Sequence, residues 1–386
     1  MRPTISLALV ISLVGCGALQ GESGEATVTV DSTGSYPVVR SEGPGARWTG
    51  ELVANIGAGS DGSGEFGTVR SVLLDSAGAV HVLDPSFVQL SVFNPDGSLR
   101  ARWGRRGSGP GEYTLPYSIA WLHDSVALLD PGNSRLMVLG PDGRWARQWV
   151  AQRLTGGLHV RLIRTPPRGF WMFTTRPAPD GSLTSLFVRF TSDGPGDTLV
   201  VYRPPEAIGR GSRCDRPDGG ITFFNPPFGT TPLMMPNAAG EQVVAVSTAY
   251  RIAFLDAAND TLRVIERTVT PAVVSDAEWE SELKEWREFR EQWPTARCDR
   301  DSWARVTTKP MLEAMFVDDE GQLWVQVLTA KGRIYDVFGM DGRLRASVTG
   351  LPPTGGVDPS VVAGRIAFAV EDSNDVQTVQ VFRIQK

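Results

Sequence analysis

The side chains able to do acid, base or metal chemistry are few, and their spacing argues against several reactions. Histidine occurs only at positions 81, 123 and 159. No two fall at a zinc-ligand spacing, and no Gly-x-Ser-x-Gly elbow is present to expose a nucleophilic serine. His81 and His159 therefore read as packing residues of β-structure. Cysteine occurs at 16, 214 and 298, and the last two sit in the same string, Arg213-Cys214-Asp215-Arg216 and Arg297-Cys298-Asp299-Arg300. Those four arginines are a candidate anion site, and pairing with Asp215 and Asp299 to brace the loops is the plainer reading. Arg70, Tyr117, Arg161 and Glu313 stand at the starts of apolar β-rich runs, and Asp84 and Asp130 end such runs just before turns. These ten residues, six arginines, one tyrosine and three carboxylates, form the candidate binding face. The Gly-rich stretches 57–65 and 104–112 superficially resemble phosphate loops. No helical pattern follows them to aim N–H groups at a phosphate, so they read as turn glycines, and neither a cofactor nor a metal is expected.

The elements that position these residues come from a repeat. Residues 57 to 150 say nearly the same thing twice: Gly57 falls on Gly104, Glu65 on Glu112, Phe66 on Tyr113, Asp84 on Asp130, Pro95-Asp96-Gly97 on Pro141-Asp142-Gly143, and Trp103 on Trp149. A unit of that length cannot bury its own faces, so copies stack into one core. Each copy carries four short β-rich runs, in the first Val69–Leu74, Ala79–Asp84, Gln89–Phe93 and Ser98–Trp103, separated by tight-turn signals. Four antiparallel strands per repeat describe a propeller blade. The cadence returns at 158–203, at 232–270 and, more clearly, at 310–348, and a last set begins at Val361 and ends one strand short. Trp48–Ile56 can supply that strand and close the ring, which removes exposed sheet edges. The expected fold is all-β: a six-bladed β-propeller of four-stranded antiparallel blades, with one helical insertion between blades four and five.

In such a blade the links between blades and the turns between second and third strands share one face of the disc. The links 57–65 and 104–112, the Asp84 and Asp130 turns and two long insertions, 204–230 and 271–309, then crowd that face. Insertions gathered on one side mark a binding face, and the Pro-Asp-Gly turns leave the other face plain. The second insertion contains the one convincing helix, Ser275 to Trp293. Ser275 and Glu278 form a capping box, Pro294 stops it, and Trp279, Leu283, Trp286, Phe289 and Trp293 recur on one face. That face is expected against the propeller rim, with a partner-binding or pocket-lining role as the alternative.

The string Gly107-x-Gly-x-Gly-Glu-Tyr113-x-x-Pro116, then Val126-Ala-Leu-Leu-Asp130-x-x-Asn133-x-Arg135-Leu-x-Val138 and Pro141-Asp-Gly143, resembles the NHL repeat of six-bladed β-propellers. The likeness is good over 57–150, partial in the fifth blade and only rhythmic elsewhere. Phe87 replaces the usual asparagine, and Val327 stands where the fifth blade would carry its aspartate. The resemblance implies a fold; NHL-like propellers include enzymes, sensors and scaffolds. Six-bladed lactonases and phosphotriesterases hold calcium with inner-strand Glu, Asn and Asp. Glu313 is the only carboxylate placed at an inner-strand start here, which leaves such a site unsupported.

At the N-terminus Arg2, the apolar run Ile5–Val14 and Leu13-Val14-Gly15-Cys16 resemble the signal and lipobox of bacterial lipoproteins. The resemblance implies that residues 1–15 are removed, that Cys16 is lipidated, and that 16–46 are a lipidated N-terminus and flexible tether ahead of a propeller spanning 47–386. Gly17 rather than aspartate after Cys16 favours an outer-membrane location, facing periplasm or exterior. With Cys16 taken by lipid in an exported protein, a Cys214–Cys298 disulfide is expected, with free thiols or metal ligation as alternatives. A net charge of −5 gives no reason to expect nucleic acid. The partners expected are the membrane, through the lipid, and an envelope protein or small ligand. The first functional expectation is a tethered propeller that binds without catalysis; the alternative is a hydrolase or lyase with a central-pore site.

Overall fold

The structure, a computed structural model, describes residues 26–43, 45–57, 65–150, 161–166, 169–178, 183–205 and 211–386. The lipobox, Cys16 and His159 lie outside the described residues. A hairpin, β1 (Thr27–Asp31) and β2 (Val38–Glu42), precedes the long strand β3 (Ala46–Ile56). Four-stranded antiparallel sheets then follow in chain order. The first is β4–β7 (Ser71–Leu74, Val80–Asp84, Gln89–Phe93, Leu99–Trp103) and the second β8–β11 (Ser118–Leu122, Ser125–Asp130, Arg135–Leu139, Trp145–Val150). The third is β12–β15 (Arg161–Thr165, Gly169–Pro177, Leu183–Thr191, Gly194–Val200). After a hairpin of β16 (Ser212–Asp215) and β17 (Ile221–Phe224) comes β18–β21 (Pro232–Pro236, Gln242–Val246, Arg251–Leu255, Thr261–Arg267). Helices α1 (Asp276–Glu282) and α2 (Lys284–Gln292) and the short β22 (Arg297–Cys298) lead into β23–β26 (Leu312–Val317, Leu323–Thr329, Gly332–Phe338, Leu344–Thr349). The chain finishes with β27–β29 (Ser360–Val362, Arg365–Glu371, Gln377–Gln385). Strands therefore fall within a residue or two of the apolar runs where the repeat is regular.

The first strand of each sheet is the inner one, and these strands meet around a closed circuit: β4 packs against β8, β8 against β12, β12 against β18, β18 against β23, and β27 against β4. Between β23 and β27 the Asp319 N–H donates to the Val361 carbonyl and Phe316 packs beside Val361. Serines lace the inner strands together, since their short side chains permit close approach. Ser360 Oγ accepts the Leu74 N–H, and Ser118 Oγ accepts the Leu162 N–H. The result is a β-propeller, with its core in layers between sheet faces, for example Leu83, Leu90 and Leu128 between the first two sheets.

The last sheet is completed by the chain's own beginning. Residues 49–56 of β3 run antiparallel to β29, while residues 46–49 run parallel to β26. The β1–β2 hairpin corrects the expectation of a flexible tether over 16–46: it covers a further edge, β2 lying parallel to β21, because its alternating Val residues can add to that open strand. Both contacts bury strand edges that would otherwise template association.

The repeat has a visible physical basis. Gly104 has φ +88°, and a Cβ there would sit 1.9 Å from the Tyr113 ring; Gly57, at φ +90°, would place one 2.5 Å from Phe66. Each link thus needs a glycine so that the aromatic nine residues on can lie against the bare backbone.

The helical insertion departs from expectation. The capping box forms as read: Ser275 Oγ accepts the Glu278 N–H, and the Glu278 carboxylate accepts the Ser275 N–H. Most of the apolar face, Leu283, Trp286, Phe289 and Trp293, packs with the other insertion instead of the propeller rim. Trp286 and Phe289 enclose Phe224 of β17 at ring-centroid distances of 5.0 and 4.9 Å, and Trp303 closes on Trp286. Cys214 and Cys298 are disulfide-bonded and pair across β16 and β22, so the two insertions form one small cap with its own core. Among the described residues no helix is long and apolar enough to cross a membrane.

Candidate functional site

Inner strands present their first residues at one mouth of the central channel. Arg70 and Tyr117 precede β4 and β8, and their main-chain N–H groups donate to Leu83 and Leu129 carbonyls, which holds both residues in the sheets. Arg161 opens β12. Together with Asp358 and Arg164 these side chains line a cavity of about 110 Å³. The Arg70 guanidinium lies 5.1 Å from the Tyr117 ring centroid, a stack that steadies the arginine while leaving its edge for a ligand. Arg161 approaches Asp358 at 4.0 Å, with both side chains about half exposed, so water and salt weaken the pair.

Arg164 lies deeper and crosses the channel. Its Nη1 donates to the Val72 carbonyl at 2.6 Å, and its Nη2 donates to the carbonyls of Asp358 at 2.7 Å and of Pro359. Burial pulls its pKa below the ordinary arginine value, with Asp358 opposing in part, yet an arginine remains charged at any physiological pH. Among the described residues no carboxylate pairs with it. The mouth therefore gathers the charge of Arg70, Arg161 and Arg164 against one lining carboxylate, Asp358, an arrangement suited to binding an anion.

Three of the residues expected on the binding face, Arg70, Tyr117 and Arg161, are thus brought together, and the others are not. Asp84 and Asp130 are corrections: both are buried, at 3% and 0% exposure, and work as pins. Asp84 accepts N–H groups from Gly67 at 2.8 Å and Ser86 at 2.8 Å; Asp130 accepts the Leu115 N–H at 2.8 Å and the Asn133 amide at 2.7 Å. Each ties the incoming link to its own sheet, and its oxygens are spent on the protein. Arg135 completes the second link by donating to the Ser108, Gly109 and Glu112 carbonyls. Glu313 is a further correction. It lies where the β23 register slips, half-buried, held by Arg333 at 2.6 Å and Gln326 at 2.5 Å, and it does not line the cavity.

The cap arginines do not converge either. Arg213 pairs with Asp215 at 2.8 Å, and Arg216 pairs with Asp218 at 3.1 Å and lies over the Trp293 ring. Arg297 and Arg300 are exposed, and the Arg300 main-chain N–H donates to Ser212 Oγ. His81 is a packing residue, edge-on to Trp103 and Trp121 at 5.5 and 5.1 Å. Burial pushes its pKa down to about 4, Asp75 opposing and Arg100 assisting. Sequence reasoning missed Arg164. Its only signal in the chain is a charge next to Leu162 and Ile163 in a short strand, and alternation along that strand puts it on the face opposite Arg161.

No family model and no curated protein matches the chain. Solved structures similar to it include a putative exported protein from Bacteroides fragilis, at 13% identity over 87% of this chain and 96% of that one, with a TM-score of 0.40. Virginiamycin B lyase from Staphylococcus aureus is similar at 10% identity over 87% and 99%, TM-score 0.42. Regucalcin, a calcium-binding protein from Agrobacterium tumefaciens, is similar at 10% identity over 87% and 94%, TM-score 0.34. The site is accordingly read from its own residues.

Proposed function

We propose that this chain is an exported, lipid-anchored, six-bladed propeller of NHL-like repeats that binds a small anionic ligand at the channel mouth, on the face that carries the insertions, without altering it. The proposal takes residues 1–15 as signal, Cys16 as the lipidated residue, the stretch from there to residue 26 as tether, and the β1–β2 hairpin with residues 46–386 as the propeller, with insertions at 204–230 and 271–309. The observation that carries the binding reading is the meeting of Arg70, Tyr117 and Arg161, from successive inner strands, above Arg164 in one cavity. Fixed guanidinium groups recognise carboxylate and phosphate oxygens through charge-assisted hydrogen bonds worth about 1.5–3 kcal/mol each.

Calorimetric titration with inorganic phosphate and with malonate tests it. Arg70→Ala and Arg161→Ala should each weaken binding by about tenfold or more. Unchanged affinity in both variants refutes the site, and consumption of a bound ligand favours a hydrolase or lyase. For the anchor, Cys16→Ala should release the protein from membranes, and retention there refutes lipidation.

A further inference from the structure

The face of the ring that carries the Pro-Asp-Gly turns, and with them the turns joining first and second strands, reads from the sequence as plain. Two cavities open there instead. One, of about 180 Å³, has apolar walls from Trp121, Pro166, Val317, Val361 and Val362, and Arg164 lines it from within the channel. The other, of about 260 Å³, shares Pro166, Val317 and Asp319 with it and continues past Phe254 and Met340.

We infer that this end of the channel is a second ligand site, built for an apolar monocarboxylate whose carboxylate meets Arg164. Among the described residues the guanidinium hydrogen-bonds only to the carbonyls of Val72, Asp358 and Pro359, and the Asp358 carboxylate offsets its charge only from beyond ion-pair distance, so the positive charge stands buried without a close ion partner. An entering anion supplies that partner. The two carboxylates that also line the first cavity are held in place by neutral donors and stay charged. Asp318 accepts the Trp324 indole N–H at 3.0 Å and the Gln322 N–H at 2.8 Å, and Asp319 accepts the Ala363 N–H at 3.1 Å.

One guanidinium beside the apolar Trp121, Pro166 and Val361 suits a single carboxylate on an apolar body; Asp318 and Asp319, which line the same cavity and keep their negative charge, repel a polyanion. The walls are already set. The Trp121 indole N–H donates to the Leu74 carbonyl at 2.9 Å, and Leu74 is held in turn by Ser360, so little ordering is left for a ligand to impose. A ring-sized body fills the first cavity, and a longer one reaches the second between Pro166 and Val317.

The site is tested by calorimetry and ligand-observed NMR on the full chain, with phenylacetate, its neutral counterpart benzyl alcohol, and inorganic phosphate as probes. Phenylacetate should bind at least about tenfold more tightly than benzyl alcohol, and Arg164→Met should abolish that preference. Val362→Trp, at the rim, should weaken phenylacetate about tenfold or more and leave phosphate unchanged, while Arg161→Ala should do the reverse. This crossed pattern separates the second site from the mouth proposed above, so either can fail alone. Circular dichroism checks that each variant folds; should Arg164→Met unfold, the comparison of phenylacetate with benzyl alcohol on the unaltered protein still decides the role of charge. Equal affinity for the two aromatic probes overturns the inference. So does phenylacetate binding that is lost in Arg161→Ala and kept in Val362→Trp, or absent at about 10 mM ligand.

Discussion

Replacing His81 by leucine should flatten the acid side of the stability curve. His81, on β5, is 5% exposed between Trp103 and Trp121, and its Nδ1 is buried without a hydrogen-bond partner. Burial moves its pKa from 6.5 to about 4, so the fold holds it neutral while the unfolded chain takes up a proton. Its contribution is therefore complete above pH 6.5, is lost as pH falls through 6.5 toward 4, and changes no further below about 4. The whole displacement corresponds to about 3 kcal/mol, of which about 2 kcal/mol is lost between pH 7 and pH 5. Carboxylates add their own acid dependence, but they do so in both proteins. Urea unfolding of the unaltered chain and of His81→Leu at pH 7 and pH 5 isolates the histidine. The unaltered chain should lose about 2 kcal/mol more than the variant over that interval. Equal losses would mean that the imidazole is solvated or protonated in the fold, and would refute the reasoning.

Asp336 sits fully buried between the fourth and fifth sheets in the set β18–β26, paired with Arg267 and hydrogen-bonded by Tyr250 and by Ser347 at 2.7 Å. Asp336→Asn strands the Arg267 charge and should cost about 3–5 kcal/mol in urea unfolding; a loss near zero refutes the pairing. The Cys214–Cys298 bridge closes a separation of 84 residues, worth about 4.5 kcal/mol in the chain-entropy model. Because it joins the two insertions, Cys214→Ala with Cys298→Ala should open the cap first. Limited proteolysis should then cut within 276–303 while the sheets survive, and a cleavage pattern identical to that of the unaltered chain would count against a separate cap.

Much of the ring was legible in the chain because its determinants are local. Gly57 and Gly104 make room for Phe66 and Tyr113, short β-rich apolar runs mark most of β4 to β11, and Pro-Asp-Gly turns separate the outer strands. Trp48–Ile56 was recognisable as the missing strand because the last set lacked one. The aspartates at 84 and 130 were recognisable as repeated but not as pins, since a carboxylate that accepts main-chain N–H groups has the same sequence signature as one that faces a ligand. The helix face was likewise visible as apolar, while its partner Phe224 lies in the other insertion and leaves no local mark.

The sequence by itself determined the strands and turns of the regular sheets and the cap's capping box. Tertiary structure alone decided the site. Arg164 meets Val72 and Pro359 across separations of 92 and 195 residues, and closure of the ring, with no local preference to announce it, is what brings those carbonyls around one guanidinium.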